Sequence, residues 1–241
     1  MRPSTEPRSR AATATNSHSC VVVIDDDEGF RESLGRLLRA AGLNPLLFAS
    51  INDFLESDPP DSPTCLILDV RLPERSGLDF QRELAAAGVT RPIVFVTGHG
   101  DIPMSVQAMK AGAIEFLTKP FREQDLLDAI SVGLARDRAR RQNDHALSEL
   151  RARFDMLTAR ERAVLVRVAE GRLNKQIAGE LGITETTVKV HRCNMMRKME
   201  AASVPQLCRM VDQLKLLKLL PGNSKLAQTV KSPKATAAAV K

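Results

Sequence analysis

The chain has no tryptophan and no tyrosine, and aromatic residues make up only 3% of its 241 residues. It therefore lacks the ring-bearing wall that would enclose an apolar signal molecule. Its four cysteines, Cys20, Cys65, Cys193 and Cys208, are scattered, with no CxxC and no neighbouring histidine pair. A zinc site is not expected, and nothing demands an oxidising compartment. No apolar run approaches the roughly 20 residues needed to cross a bilayer, so no membrane association is expected. The opening MRPSTEPRSRAATATNSHS carries no apolar core of a secretory signal and reads as a disordered extension, which places the protein in the cytoplasm. A P-loop, a GxGxxG motif and a separate substrate domain are all missing, which argues against an enzyme acting on small molecules.

What is present is long enough for two small domains, each with its own core. The net charge of +6 is unevenly spread. Residues 19 to 140 carry 13 basic against 19 acidic side chains, whereas residues 141 to 241 carry 19 basic against 9 acidic. An acidic region suited to a cation thus precedes a basic region suited to a polyanion.

From Cys20 to about Arg140, short apolar runs alternate with helical patterns, as in a parallel α/β sheet. Strands are predicted at Cys20 to Ile24, around Pro45 to Phe48, Cys65 to Asp69, Ile93 to Val96 and Ile114 to Leu117. Helices are predicted near Gly29 to Ala41, Ser50 to Glu56, Gly77 to Ala87, Met104 to Ala111 and Glu123 to about Arg138. Five such βα units fit a flavodoxin-like sheet, whose ligands bind beyond the carboxyl ends of the strands. The stretch from Asp137 to Arg153 is charged, and we read it as an exposed helical extension or linker. The expected division is an extension at 1–18, an α/β domain at 19–139, a linker at 140–153, an all-α domain at 154–220 and a disordered tail at 221–241.

Four of the five strands end in chemistry. Asp25, Asp26 and Asp27 close the first run, Asp69 the third, Thr97 the fourth and Lys119 the fifth. A carboxylate attacks a phosphoryl donor poorly unless a cation screens their repulsion. Grouped carboxylates, a hydroxyl and an ammonium can hold a divalent cation beside a nucleophile and neutralise an incoming phosphoryl group.

In the basic region, Thr158 and Glu161 form a capping box for a helix that Gly171 ends, Asn174 to Leu181 forms a short helix, Gly182 turns the chain, and Thr184 starts a longer helix through Met199. Short helix, glycine turn and longer helix make a helix-turn-helix. Ser203 and Gln206 form a second capping box opening a fourth helix.

The first half, with VRLPERSG and Lys119-Pro120 in place, resembles the receiver domain of two-component response regulators. The segment LTARERAVLVRVAEGRLNKQIAGELGITETTVKVHRCNMMRKM is similar to LuxR-type DNA-binding domains, and the combination resembles the FixJ/NarL family, FixJ-like in pattern. The resemblance implies Asp69 as phosphoacceptor, and Mg²⁺ held by Asp25, Asp26, Asp69 and the Arg71 backbone carbonyl. It further implies phosphoryl contacts from Thr97 and Lys119, a third acid at Asp27, a cis Lys119-Pro120 peptide, and a switch in which Thr97 and Phe116 move together. His99 is read as a loop residue without proton chemistry.

Rotation by about 100° per residue puts Val188, Met195 and Met199 on the core face of the longer helix. Thr186, Lys189, Val190, Cys193 and Arg197 then face a DNA major groove, while Lys175 is placed for a phosphate. His191 reads as packing, and Arg160 with Arg162 as a solvated face. The implied partners are a sensor histidine kinase, promoter DNA, RNA polymerase and, once phosphorylated, a second copy of the chain, with transcription activated as the outcome. The alternative is a DNA-binding regulator independent of phosphorylation, whose first domain serves as a protein-interaction module.

Overall fold

The computed structural model describes residues 19–57 and 62–216. The expected N-terminal extension and C-terminal tail lie outside the described residues. The chain separates into two units, Met1–Gln142 and Asn143–Lys241.

The first unit contains β1 (Cys20–Ile24), α1 (Glu28–Ala40), β2 (Asn44–Phe48), α2 (Ile51–Glu56), β3 (Thr64–Leu68), α3 (Gly77–Ala86), β4 (Ile93–Thr97), α4 (Ile102–Lys110) and β5 (Glu115–Thr118). The strands are parallel in the order β2-β1-β3-β4-β5, which is the flavodoxin-like sheet predicted. Every residue of β1, β3 and β4 is buried, because helices cover both faces and the strands read as unbroken apolar runs. Two cores result. One holds Ile24, Leu66, Leu68, Phe80 and Phe95 on one face, and the other holds Val23, Leu38, Ile67, Val96 and Ile130 on the opposite face.

The fifth helix differs from expectation. α5 runs without interruption from Glu123 to Asp155, past the end expected near Arg138 and through the stretch read as a helical extension or linker, so the helical alternative holds. No glycine or proline occurs between Leu134 and Leu157 to stop it. Side chains one turn apart also support it, including Arg141 with Asp137, His145 with Glu149 and Arg153 with Glu149. The reading of 137–153 as exposed fails at both ends: Asp137 is 1% exposed, and Leu150 and Phe154 belong to the core of the second unit.

That second unit contains α6 (Ala159–Ala169), α7 (Asn174–Leu181), α8 (Glu185–Lys198) and α9 (Val204–Leu216). The capping box at α6 forms in both directions, Thr158 N–H donating to Glu161 Oε2 at 2.8 Å and Glu161 N–H to Thr158 Oγ1 at 3.3 Å. Gly182 ends α7 at φ 65°, a left-handed turn that suits glycine, and Thr184 caps α8 by accepting from the Thr187 N–H. At α9 the box forms on one side only. Ser203 Oγ accepts from Gln206 N–H, but the Gln206 side chain accepts from Ala202 N–H instead of Ser203. Val164, Leu165, Ile177, Val188, Met195 and Leu207 centre the core.

Candidate functional site

The site in the first unit is made by the sheet ladder. Ile24 pairs with Leu68, so the residues that follow them, Asp25 and Asp69, emerge side by side. Asp69 N–H donates to the Ile24 carbonyl at 3.0 Å and Lys119 N–H to the Thr97 carbonyl at 2.8 Å, continuing the ladders past the strand ends. Carboxylate oxygens of Asp25, Asp26 and Asp69 consequently lie within 4.8 Å of one another. Three hard oxygen donors so close suit Mg²⁺, which takes a few carboxylates and keeps waters.

Lys119 Nζ stands against this cluster, 2.7 Å from Asp25 Oδ2 and 3.3 Å from Asp69 Oδ2. It also lies 3.6 Å from the centre of the Phe30 ring, a cation–π contact that fixes the ammonium from a third side. Burial, the largest influence, pushes the Asp25 carboxyl above its ordinary pKa, against Lys119 and the Asp27 N–H, which favour the ionised form. Asp25 is 2% exposed and Asp69 8%, whereas Asp26 is exposed. The cluster is thus deep on one side and open on the other.

Loop backbone completes the pocket. Arg71 N–H donates to Asp69 Oδ1 and Asp27 N–H to Asp25 Oδ1, each at 3.0 Å. Asp27 spends its own carboxylate on capping α1, accepting from Phe30 N–H. Gly77 opens α3 so near the Asp69 carbonyl oxygen that a Cβ there would collide with it. The Lys119-Pro120 peptide is cis, as expected.

Thr97 is fully buried at the end of β4, and its hydroxyl accepts the His99 N–H at 3.3 Å. Phe116 is half-buried, its ring 6.1 Å from that of Phe95 and close under Gly100. His99 is exposed. Sequence reasoning missed Phe30 and Arg31, whose guanidinium donates to the Asp25 carbonyl at 2.7 Å. Their position one turn after the acidic triplet, on the helix leaving the pocket, was the available signal.

The second unit offers a different kind of surface. Val188, Met195 and Met199 are fully buried, and Lys175, Thr186, Lys189, Val190, Cys193 and Arg197 are all exposed. Two ties hold α8 in place. Arg192 Nη1 donates to Asn174 Oδ1 at 2.9 Å, joining α8 to α7. Lys198 Nζ reaches Glu161 Oε2 at 2.7 Å, joining α8 to α6. Glu161 is buried, which raises its pKa, but Lys198 and Thr158 outweigh that and hold it below the usual range. His191 is half-buried. Arg162 is not a merely solvated side chain: its guanidinium lies 4.7 Å from the Phe154 ring centre and donates to the Leu157 and Asp155 carbonyls. Among the described residues no helix is long and apolar enough to cross a membrane.

Comparison with known proteins finds a known family for each unit. Residues 21–131 match the response regulator receiver domain, and residues 155–211 match the bacterial regulatory proteins of the luxR family. The chain is 48% identical over 202 residues to nodulation protein W of Bradyrhizobium diazoefficiens, covering 84% of this chain and 89% of that protein. It is 50% identical over 200 residues to the response regulator protein TmoT of Ectopseudomonas mendocina, covering 83% and 91%. The transcriptional regulatory protein FixJ of Azorhizobium caulinodans is 44% identical over 190 residues, covering 79% and 90%. The solved structure of the response regulator StyR superposes with a TM-score of 0.75 at 50% identity, covering 81% of this chain and 99% of that one. The chain therefore belongs to the two-component response regulators of the FixJ/NarL type, regulatory proteins rather than enzymes, in which a receiver domain precedes a LuxR-type DNA-binding domain.

Proposed function

We propose that Asp69 is the phosphoacceptor of this regulator and that its phosphorylation controls promoter binding by the helical domain. The observation that carries this reading is the grouping of three carboxylates within 4.8 Å around the Asp69 side chain, with Lys119 at 3.3 Å. An Asp69 carboxylate oxygen attacks the phosphorus of a phosphohistidine on a sensor histidine kinase, the O–P bond forms, the N–P bond breaks, and the imidazole leaves. Asp25, Asp26 and the Arg71 carbonyl, with Asp69 itself, are the residues that would hold Mg²⁺. Bound there, the ion supplies the positive charge that lets anionic nucleophile and anionic phosphoryl group approach.

Lys119 and Thr97 then serve the phosphoryl oxygens, the lysine as a point charge and the threonine as a hydroxyl donor. Turning its hydroxyl to the phosphoryl group withdraws Thr97 from the His99 N–H, and Phe116 repacks in concert, shifting the receiver between two states. The shifted receiver forms a homodimer, and two helical domains on paired half-sites gain affinity through effective concentration. Lys189 and Arg197 serve guanine edges or phosphates, Val190 a thymine methyl, Thr186 and Cys193 the floor of the groove, and Lys175 a phosphate. Transcription is activated through RNA polymerase in the cytoplasm. The receiver is assigned to 19–139 and the DNA-binding domain to 154–220, joined by 140–153, whose Leu150 packs into the helical core.

Intact mass after incubation with acetyl phosphate tests the chemistry. Wild type with Mg²⁺ gains one phosphoryl group, and neither Asp69→Asn nor magnesium-free wild type does. A folded wild type that gains nothing from acetyl phosphate or from its kinase turns the receiver into a protein-interaction module independent of phosphorylation.

A further inference from the structure

At the other end of the receiver sheet, where β3 and β4 begin, lies a cavity of about 210 Å³ lined by Thr90, Arg91, Pro92, Gly112, Arg136, Asp137 and Arg140. It is remote from the Asp69 pocket, since the five residues of β3 from Thr64 to Leu68 separate the two ends at about 3.3 Å each. Three guanidinium groups and one hydroxyl meet a single carboxylate there.

That carboxylate is already saturated. Asp137 Oδ1 accepts from Arg140 Nε at 3.0 Å and Nη2 at 2.7 Å, and Oδ2 accepts from Arg141 Nε at 2.8 Å and from the Thr64 N–H at 3.0 Å. A carboxylate has about four acceptor positions, and these four donors use them. Arg91 and Arg136 line the same cavity and have no ion-pair partner among the described residues. Burial, first, and then the like charges of Arg141 and Arg140 hold the Arg91 pKa below its ordinary value, although Asp137 works in the opposite sense. Crowded cations of this kind are relieved by an anion rather than by another donor.

We propose that this cavity binds a small phosphate-class anion, with Arg91 and Arg136 as its principal donors and the Thr90 hydroxyl as a third. Guanidinium groups match phosphate with paired N–H donors. The volume is below the roughly 300 Å³ at which pockets for larger organic ligands begin, so it suits inorganic phosphate or the phosphate of a monoester. Because Asp137 also holds the first residue of β3, occupancy stiffens the base of the strand that ends at Asp69. The site does not depend on Asp69 being phosphorylated.

The test titrates inorganic phosphate, pyrophosphate and adenosine monophosphate into the full-length chain by calorimetry at constant ionic strength. Saturable one-to-one binding is expected for at least one of them, weakened about tenfold or more by Arg91→Gln or Arg136→Gln. Asp69→Asn and Lys189→Ala bind the anion as wild type does, which separates this site from the phosphoacceptor pocket and the DNA surface. Arg136 is exposed, so its replacement leaves the fold and the acetyl phosphate mass gain intact. The proposal is overturned by any of three results. One is no saturable heat from any of the three anions, and another is wild-type affinity in both arginine variants. The third is sensitivity to Arg91 and Arg136 that appears only with duplex DNA.

Discussion

The receiver pocket and the exposed face of α8 are assembled by opposite routes. In the receiver, Asp25, Asp69 and Lys119 are up to 94 residues apart in sequence and meet because parallel strands end together at one edge. In the helical domain, Thr186, Lys189, Val190, Cys193 and Arg197 lie within one helix, and the 3.6-residue turn alone puts them on a common face. A non-local site is rigid and deep, with Asp25 and Thr97 almost wholly buried, whereas a local one is exposed along its length. The first suits chemistry on one phosphoryl group, and the second suits docking to a long polyanion.

Substitutions that strike one side and spare the other sharpen this contrast. The largest effect belongs to Asp69→Asn, which removes the mass gain from acetyl phosphate altogether while duplex binding at low salt persists. Next comes Met195→Ala, which hollows the helical core and costs about 2–5 kcal/mol by denaturant unfolding. The receiver of that variant still accepts a phosphoryl group. Equal loss in both domains would show that their folding is coupled through α5.

Arg197→Ala weakens binding to the promoter by about 1–3 kcal/mol and leaves phosphorylation unchanged. The plot of log affinity against log salt tells its two possible contacts apart: a phosphate contact lowers the slope by about 0.9, and a guanine contact leaves the slope but relaxes specificity.

The smallest effect is the most diagnostic of burial. Because the folded-state pKa of Asp25 is raised, the unfolded chain loses its proton first, and stability falls as pH rises from the unfolded pKa through the folded one. Asp25→Asn therefore stabilises the receiver at neutral pH and loses that advantage in acid. Thermal melts at two pH values check it. Asp137 behaves in the opposite sense. Burial raises its pKa, but Arg141, Arg140 and the Thr64 N–H win and lower it, so its contribution is lost as pH falls through the folded value.

The alternation of apolar runs was enough to place all five strands within a residue or two, and the acids at their ends were legible because a soluble core rarely finishes four runs in polar groups. The helix-turn-helix was equally plain, since capping threonines and Gly182 act through neighbours three or four residues away. The extent of α5 was not. Its charged middle reads as an exposed helical extension or linker by composition, and only the burial of Leu150 and Phe154 shows that its end belongs to the second core. Phe30 beneath Lys119 and the Thr64 N–H on Asp137 were invisible for a related reason, because each joins elements far apart in the chain.

By itself, then, the sequence determined the inward faces of the strands and of the shorter helices, the caps that bound those helices, and which chemical groups are available, because propensity, capping and periodicity act over a few residues. Only the tertiary structure decided which carboxylates share a cation-sized space, which arginines crowd one saturated aspartate, and how far Lys119 stands from its partners. Those distances are set by strand register and helix packing, which depend on the whole core at once.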